Sequence, residues 1–321
     1  MNVQKISNDF TPCHEGLFFA IDTQTDDPQD VVVEVVDLSA DEVVAKQYLR
    51  EVKRAQVNIA PYIKPFADYM PMRSAHSAFE EAPSVRFTIR TADVEAEPLL
   101  VSVNRAHAEL PSIVTAMPLS RTIAYGESDQ ILLLAEPESR ITANIVADTG
   151  ENFSMEYVTM VGATTLYIST KDFGKKVRTI TVELSCNEVE LGTLNYHIVP
   201  SHKGVLRLAW VSESGSIERY TFPVVTKSQR KVERVGVLTA EGSRVVRSTV
   251  ESIISLKSHY EPRATIEAIA QILSSPKVWI EYPTSYQEVV ALDTVVDVNI
   301  FGEPESVMLG VQEWRREERA L

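Results

Sequence analysis

Six histidines, two cysteines and several runs of carboxylates are the side chains of this chain with the means to do chemistry, and their spacing decides whether they do. His14, His76, His107, His197, His202 and His259 avoid the intervals that bring imidazoles to one metal ion. His197 and His202 are five apart, which places them on neither one helix face nor one strand face, so a solvated pair beside a turn accounts for them. Cys13 and Cys186 form no C-x-x-C pair and no disulfide framework, and read as thiols of a reducing compartment. There is no G-x-S-x-G elbow, phosphate loop, dinucleotide fingerprint or H-E-x-x-H pair. Asp22, Asp26, Asp27 and Asp30 offer oxygens to calcium but lack the spacing and glycine of an EF-hand loop, and aspartates also simply favour turns. Glu80–Glu81 and Glu95/Glu97 read as surface charge. No catalytic, cofactor-binding or metal-ligating residue is assigned, and a non-enzymatic protein without a cofactor is the expectation.

The side chains left over suit contact rather than reaction. Lys227, Arg230, Lys231 and Arg234 cluster in KSQRKVER, a basic patch on a chain of formal net charge −14. Such a patch fits an acidic neighbour, including another copy of the chain; a solvated loop is the plainer account. Trp210, Tyr220 and Phe222 flank a turn and are candidates for a contact surface or a sugar platform, against ordinary packing in a core. Trp210 and Phe222 are placed to pair across that turn. The acidic balance argues against specific nucleic-acid binding and against anionic membranes.

Elements that must position these residues are short and β-branched. Runs at 17–22, 31–36 and 98–105 read as strands, and 55–60 alternates with Val57 and Ile59 on one face. At 85–91, Val85, Phe87 and Ile89 face inward while Arg86, Thr88 and Arg90 face outward. Residues 67–83 show neither period and read as an exposed loop. Beyond Pro118, strands near 121–125, 130–135, 140–147, 155–159, 164–169, 177–185 and 192–199, at intervals of roughly 8–12 residues, predict an immunoglobulin-like β-sandwich without its usual disulfide and tryptophan.

The third region opens with a hairpin, 205–211 and 217–224, around SESGS, where Gly215 supplies the left-handed turn position. Strands are expected at 231–239 and 244–257. Ile266, Ile269, Ala270 and Leu273 form one helical stripe between Pro262 and Pro276, predicting a helix over 262–274. Strands at 278–282, 289–301 and 306–314 follow, with Trp279 and Trp314 sealing the sheet against the helix, and the tail RREERAL frays. The fold class is mainly β: tandem β-sandwich modules over 1–115 and 116–202, then a β-rich module with one short helix over 203–321.

Three segments stand in order along the chain: HEGLFFAIDT with DVVVEVVD and QVNIAPYIKPF, then LRLAWVSESGSIERYTF, then IEAIAQILSSPKVWIEY with SVMLGVQEWRREE. In content and order they resemble tail-region structural proteins of phages and prophages from Bacteroidetes bacteria. The middle module contributes little to the resemblance, and 67–83 does not match it. The resemblance implies a virion structural protein of the tail tip, baseplate or neck. Such a protein assembles in multiple copies, as a homo-oligomeric ring with other tail proteins, and has no small-molecule substrate. It is made in the host cytoplasm, as the absence of a signal-like N-terminus also leads one to expect. The competing reading is a carbohydrate-binding or adhesive β-sandwich protein of a bacterial surface.

Overall fold

Alternating Val, Ile and Phe positions become strands throughout the computed structural model, which describes residues 1–9, 11–12, 16–38, 40–63, 71–81, 85–92, 94–102, 109–160, 163–201, 204–239, 242–292, 304–313 and 317–319. The chain is mainly β, as expected.

The first module comprises β1 (Asn2–Lys5), β2 (Thr11–Pro12), β3 (Phe18–Asp22), β4 (Gln29–Asp37), β5 (Glu42–Val52), β6 (Arg54–Asn58) and the single helical turn α1 (Ala60–Ile63). After β7 (Ala78–Glu81) it closes with β8 (Val85–Arg90) and β9 (Leu99–Ser102). A three-stranded sheet, β1-β3-β6, and a five-stranded sheet, β2-β9-β8-β4-β5, share one core. Phe19, Ile21, Val57 and Ile59 enter that core from one side, and Val33, Val35, Phe87 and Ile89 from the other. Thr88, expected to face outward, is buried, and its hydroxyl donates to the carbonyl of Ala96 at 2.8 Å.

The segment expected to be an exposed loop does something else. β7 belongs to neither sheet of the first module. It pairs antiparallel with β15 (Ala163–Ser169), from Thr164↔Glu81 to Tyr167↔Ala78, and adds an edge strand to the second module. Phe79 packs on the second core and stacks on Tyr157 with ring centroids 5.8 Å apart.

The second module contains β10 (Ser112–Val114), β11 (Ser120–Ala124), β12 (Ser128–Leu134), β13 (Arg140–Ala147), β14 (Asn152–Val158), β15, β16 (Thr179–Cys186) and β17 (Val189–Val199). The seven strands expected between residues 121 and 199 are all present within a few residues. Two sheets, β10-β12-β15-β7 and β11-β17-β16-β13-β14, face each other across a core that includes Ile131, Leu133, Leu166 and Ile168 on one side and Ile141, Ile145, Ile180 and Val182 on the other. β7 and β10 belong here although both precede residue 115, so the second module includes chain from before that expected boundary. Cys186 is a buried free thiol of this core, and Cys13 lies outside the described residues.

The third module is one eight-stranded sheet: β18 (Leu206–Val211), β19 (Ile217–Phe222), β20 (Val224–Thr239), β21 (Gly242–Lys257), β22 (Val278–Glu281), β23 (Tyr286–Ala291), β24 (Met308–Glu313) and β25 (Glu317–Arg319). Its order is β19-β18-β22-β23-β24-β21-β20, with β25 also on β21. Thus part of the tail expected to fray is a strand. Helix α2 (Arg263–Ala270) and a following 3-10 turn, Gln271–Leu273, cover one face through Ile266, Ile269 and Ile272. Their partners include Trp210, Tyr220 and Phe222. Trp279 does not seal the helix: it packs on the opposite face with Ala209, Val211, Ile217 and Tyr286. Trp314 lies outside the described residues. No helix among the described residues is long and apolar enough to cross a membrane.

Candidate interaction surface

The residues of KSQRKVER do not sit in a loop. They lie in β20, which pairs with β21 along 16-residue strands from Val224↔Lys257 to Thr239↔Gly242. At ~3.3 Å per residue each strand spans roughly 50 Å. Among the described residues only the part of this hairpin nearer its base belongs to a wider sheet, because β24 pairs with Ile253–Lys257 and β25 with Ser248–Val250. Beyond Arg234↔Ser248 the ribbon has two strands, and β20 ends the sheet with an open edge among the described residues. Lys227, Arg230, Lys231 and Arg234 are all exposed. Val232, Val237 and Leu238 are exposed too, Leu238 at 89%. Residues 224–257 hold seven Lys and Arg against three Glu, so a basic arm projects from an acidic protein. A two-stranded ribbon alone in water is marginally stable.

Register divides the arm into two faces. Between the irregularities at Val225/Lys227 and Val235/Gly236, Arg230, Val232 and Arg234 share one face, opposite the positions of Ser252, Val250 and Ser248. Lys231 falls on the other face, 3.6 Å from Glu251. The first face carries no acidic position in this stretch.

The aromatic candidates go elsewhere. Trp210, Tyr220 and Phe222 are buried at 0%, 3% and 0% exposure, which corrects their assignment to a contact surface. Trp210 also does not oppose Phe222: the register places Trp210 against Glu218 and Leu206 against Phe222. Six residues on each of β18 and β19 leave the aromatic side chains on the face that meets α2, and the tyrosine hydroxyl of Tyr220 donates to Glu261 at 2.8 Å. Burial and the Glu261 carboxylate hold this phenol above its usual range.

A buried ionic joint, absent from the sequence expectations, fixes the arm's platform to the second module. Arg121 donates to Asp129 at 2.8 Å and lies 3.8 Å from Glu218. Arg207 donates to Glu127 at 2.7 Å and stands 3.5 Å from Glu281, which also faces Arg219 at 3.3 Å. Tyr196 donates to Asp129 at 3.1 Å, and Glu218 accepts from Ser216 at 2.6 Å and from the Ala116 N–H at 2.7 Å. Segment 71–77 joins in: Arg219 donates to the Met72 carbonyl at 2.6 Å, and Arg73 stands 3.2 Å from Glu281 and 4.5 Å over the Tyr286 ring. Burial opposes the charge on Asp129, but Arg121, Arg207 and Arg219 outweigh it and hold the carboxyl below its usual range. Burial likewise opposes the charges of Arg121 and Arg207; Asp129 and Glu218 outweigh it for the first, and Glu127 and Glu281 for the second. Charges so enclosed repay their desolvation only when well paired, and these pairs bridge the second and third modules. A cleft of about 500 Å³ opens beside it, lined by Arg73, Glu127, Lys171, Arg207, Glu281 and Tyr282 among others. Its two carboxylates are engaged by these arginines.

The aspartates near residue 26 serve the turn. Asp22 accepts from the Gln24 N–H at 2.9 Å and pairs with Arg54, and Asp30 accepts from the Glu51 N–H at 2.9 Å. No group of three or more His, Cys, Asp or Glu suited to a metal ion occurs among the described residues. His197 lies on β17 beside Ser120, and His202 falls outside the described residues. Glu95 pairs with Arg90 at 2.9 Å.

No protein-family profile and no curated protein matches the chain. A crystal structure of a tetra-tandem repeat in the extending region of a large adhesion protein is similar over 78% of this chain and 69% of that chain, at 11% identity and a TM-score of 0.22. That likeness is too slight to carry an argument about fold or function.

Proposed function

We propose that the chain is a non-enzymatic structural subunit that assembles in multiple copies through β-domain contacts. The kind of assembly is a phage or prophage tail, at its tip, baseplate or neck, built with other tail proteins. The observation that carries the assembly reading is the β20–β21 arm. A ribbon this long, with an open edge, exposed Val232, Val237 and Leu238 and a charge opposite to the rest of the chain, is completed by a neighbour. Head-to-tail contacts of this type close into rings when the rotation permits. The tail assignment rests on the three resembling segments. We further read the second module as immunoglobulin-like. Its sheet orders correspond to A-B-E-D and A′-G-F-C-C′, with β7 in the D position and β11 running parallel to β17. The carbohydrate-platform alternative loses its residues, since Trp210, Tyr220 and Phe222 are buried.

The test is light scattering with electron microscopy on the intact chain and on a variant in which residues 235–247 are replaced by an Asn-Gly turn. Closed multimers of the intact chain and monomers of the shortened one are expected. Unchanged assembly without the arm refutes the role given to it.

A further inference from the structure

On the outer face of the second module's five-stranded sheet, β16 and β17 slip register between Leu184 and Ser185. Their hairpin turns through Asn187 and Glu188, both at positive φ, 48° and 68°. The slip opens a groove of about 310 Å³ whose lining includes Asn144, Glu183, Ser185, Glu188, Glu190 and Thr193. Three glutamates line it and no basic residue does. All three are exposed, and none makes an ion pair or side-chain hydrogen bond among the described residues. Val189, 61% exposed, adjoins the groove, and Val146 lies two residues beyond Asn144 on the same face. Elsewhere on the molecule carboxylates are commonly answered, as Glu34 is by Lys46, Glu156 by Arg140 and Glu95 by Arg90.

We propose that this acidic groove receives the Arg230–Val232–Arg234 face of the arm of a second copy of the chain. The inference rests on the multi-copy reading above and names the partner surface. Complementarity is of two kinds. The arm presents two guanidinium groups four residues apart, about 13 Å along a strand, flanking an exposed valine with no acid on that face. The groove presents carboxylates without cations beside exposed valines. Arginine forks match carboxylates in geometry as well as charge, and burial of the valines excludes water around them. Since arm and groove are different patches of one chain, the contact is heterologous and propagates from copy to copy.

Charge exchange tests it. One variant carries Arg230→Glu and Arg234→Glu, a second carries Glu183→Arg, Glu188→Arg and Glu190→Arg, and both are exposed changes. Each alone should weaken self-association by on the order of 100-fold, read by light scattering over a concentration series. An equimolar mixture should assemble again, because each arm then meets a groove of opposite charge, and this rescue shows that neither variant is misfolded. If the groove variant assembles like the wild type while the arm variant does not, the groove is the wrong partner and the arm reading stands. If the mixture stays dissociated, the pairing is refuted. A wild-type chain that is monomeric at every concentration overturns the inference and the multi-copy reading together.

Discussion

Replacing Arg121 by Met removes one cation from the buried joint and leaves two carboxylates behind. Asp129 loses its partner at 2.8 Å and Glu218 its cation at 3.8 Å, and all three side chains are at most 4% exposed. Breaking a buried pair from one side costs ~3–5 kcal/mol. The remaining contacts set this case near the lower end. Asp129 keeps the Tyr196 hydroxyl at 3.1 Å and Arg207 at 3.8 Å. Glu218 keeps the Ala116 N–H and the hydroxyls of Thr115 and Ser216. The loss should therefore be about 3 kcal/mol, more than a solvent-screened pair would give. Adding Asp129→Leu removes one stranded charge, so the double variant should be less destabilised than the sum of the singles by about 2 kcal/mol. Urea unfolding followed by the emission of the tryptophans, Trp210 and Trp279 among them, measures both. A cost under about 0.5 kcal/mol for Arg121→Met, or strict additivity, would mean that the joint is not a desolvated unit and that the modules are oriented by something else.

The same joint dictates an acid response. Asp129 is held below its usual range in the folded chain, so its stabilisation is complete above about pH 4, the unfolded value, and is lost as pH falls through the folded one. Wild type should lose stability more steeply below about pH 4 than Arg121→Met/Asp129→Leu does, and parallel acid-unfolding curves would contradict this. Phe79→Ala should cost about 2 kcal/mol, since a half-buried ring on the second core is lost together with its stacking on Tyr157. Amide exchange should then quicken in Ala163–Ser169, the strand that β7 covers. Tyr220→Phe should cost about 1–2 kcal/mol, because the His259 N–H and Glu261 both lose the hydroxyl; an unchanged melting temperature would count against that pair of bonds.

The second module was the most legible part of the sequence, for a physical reason. Strands such as β13 and β16 are dry on one side and wetter on the other, and glycine turns punctuate the module, so a period of two shows through. Where that asymmetry is missing, the pattern goes silent. β5 is half exposed and charged at Lys46, Arg50 and Glu51, and no expectation covered it. Lys227 to Val232 and Arg234 are exposed whichever face they fall on, so KSQRKVER reads as a loop although its backbone is strand throughout. β7 has only Ala-Phe-Glu-Glu, and its partner lies some 80 residues downstream, a separation that no local period records. The basic residues of the candidate surface could be picked out by composition, but their division into faces required the register. The ionic joint leaves one signal in the sequence. Arg207, Glu218 and Arg219 interrupt strands of aromatic and aliphatic residues, and a charge inside such a strand calls for an opposite charge on whatever covers it.

The placement of β7 also sets an order of events on the ribosome. The first module has all its strands once Ser102 has emerged, with 71–81 looped out between β6 and β8. Ala163, where the edge partner of β7 begins, follows about 60 residues after Ser102, about 3–12 s later at ~5–20 residues per second. For that interval Phe79 has no core to enter and Ala78–Glu81 has no strand to pair with. β7 therefore becomes a strand only when β15 supplies its partner, so the edge of that sheet is completed by chain that emerged before the sheet itself.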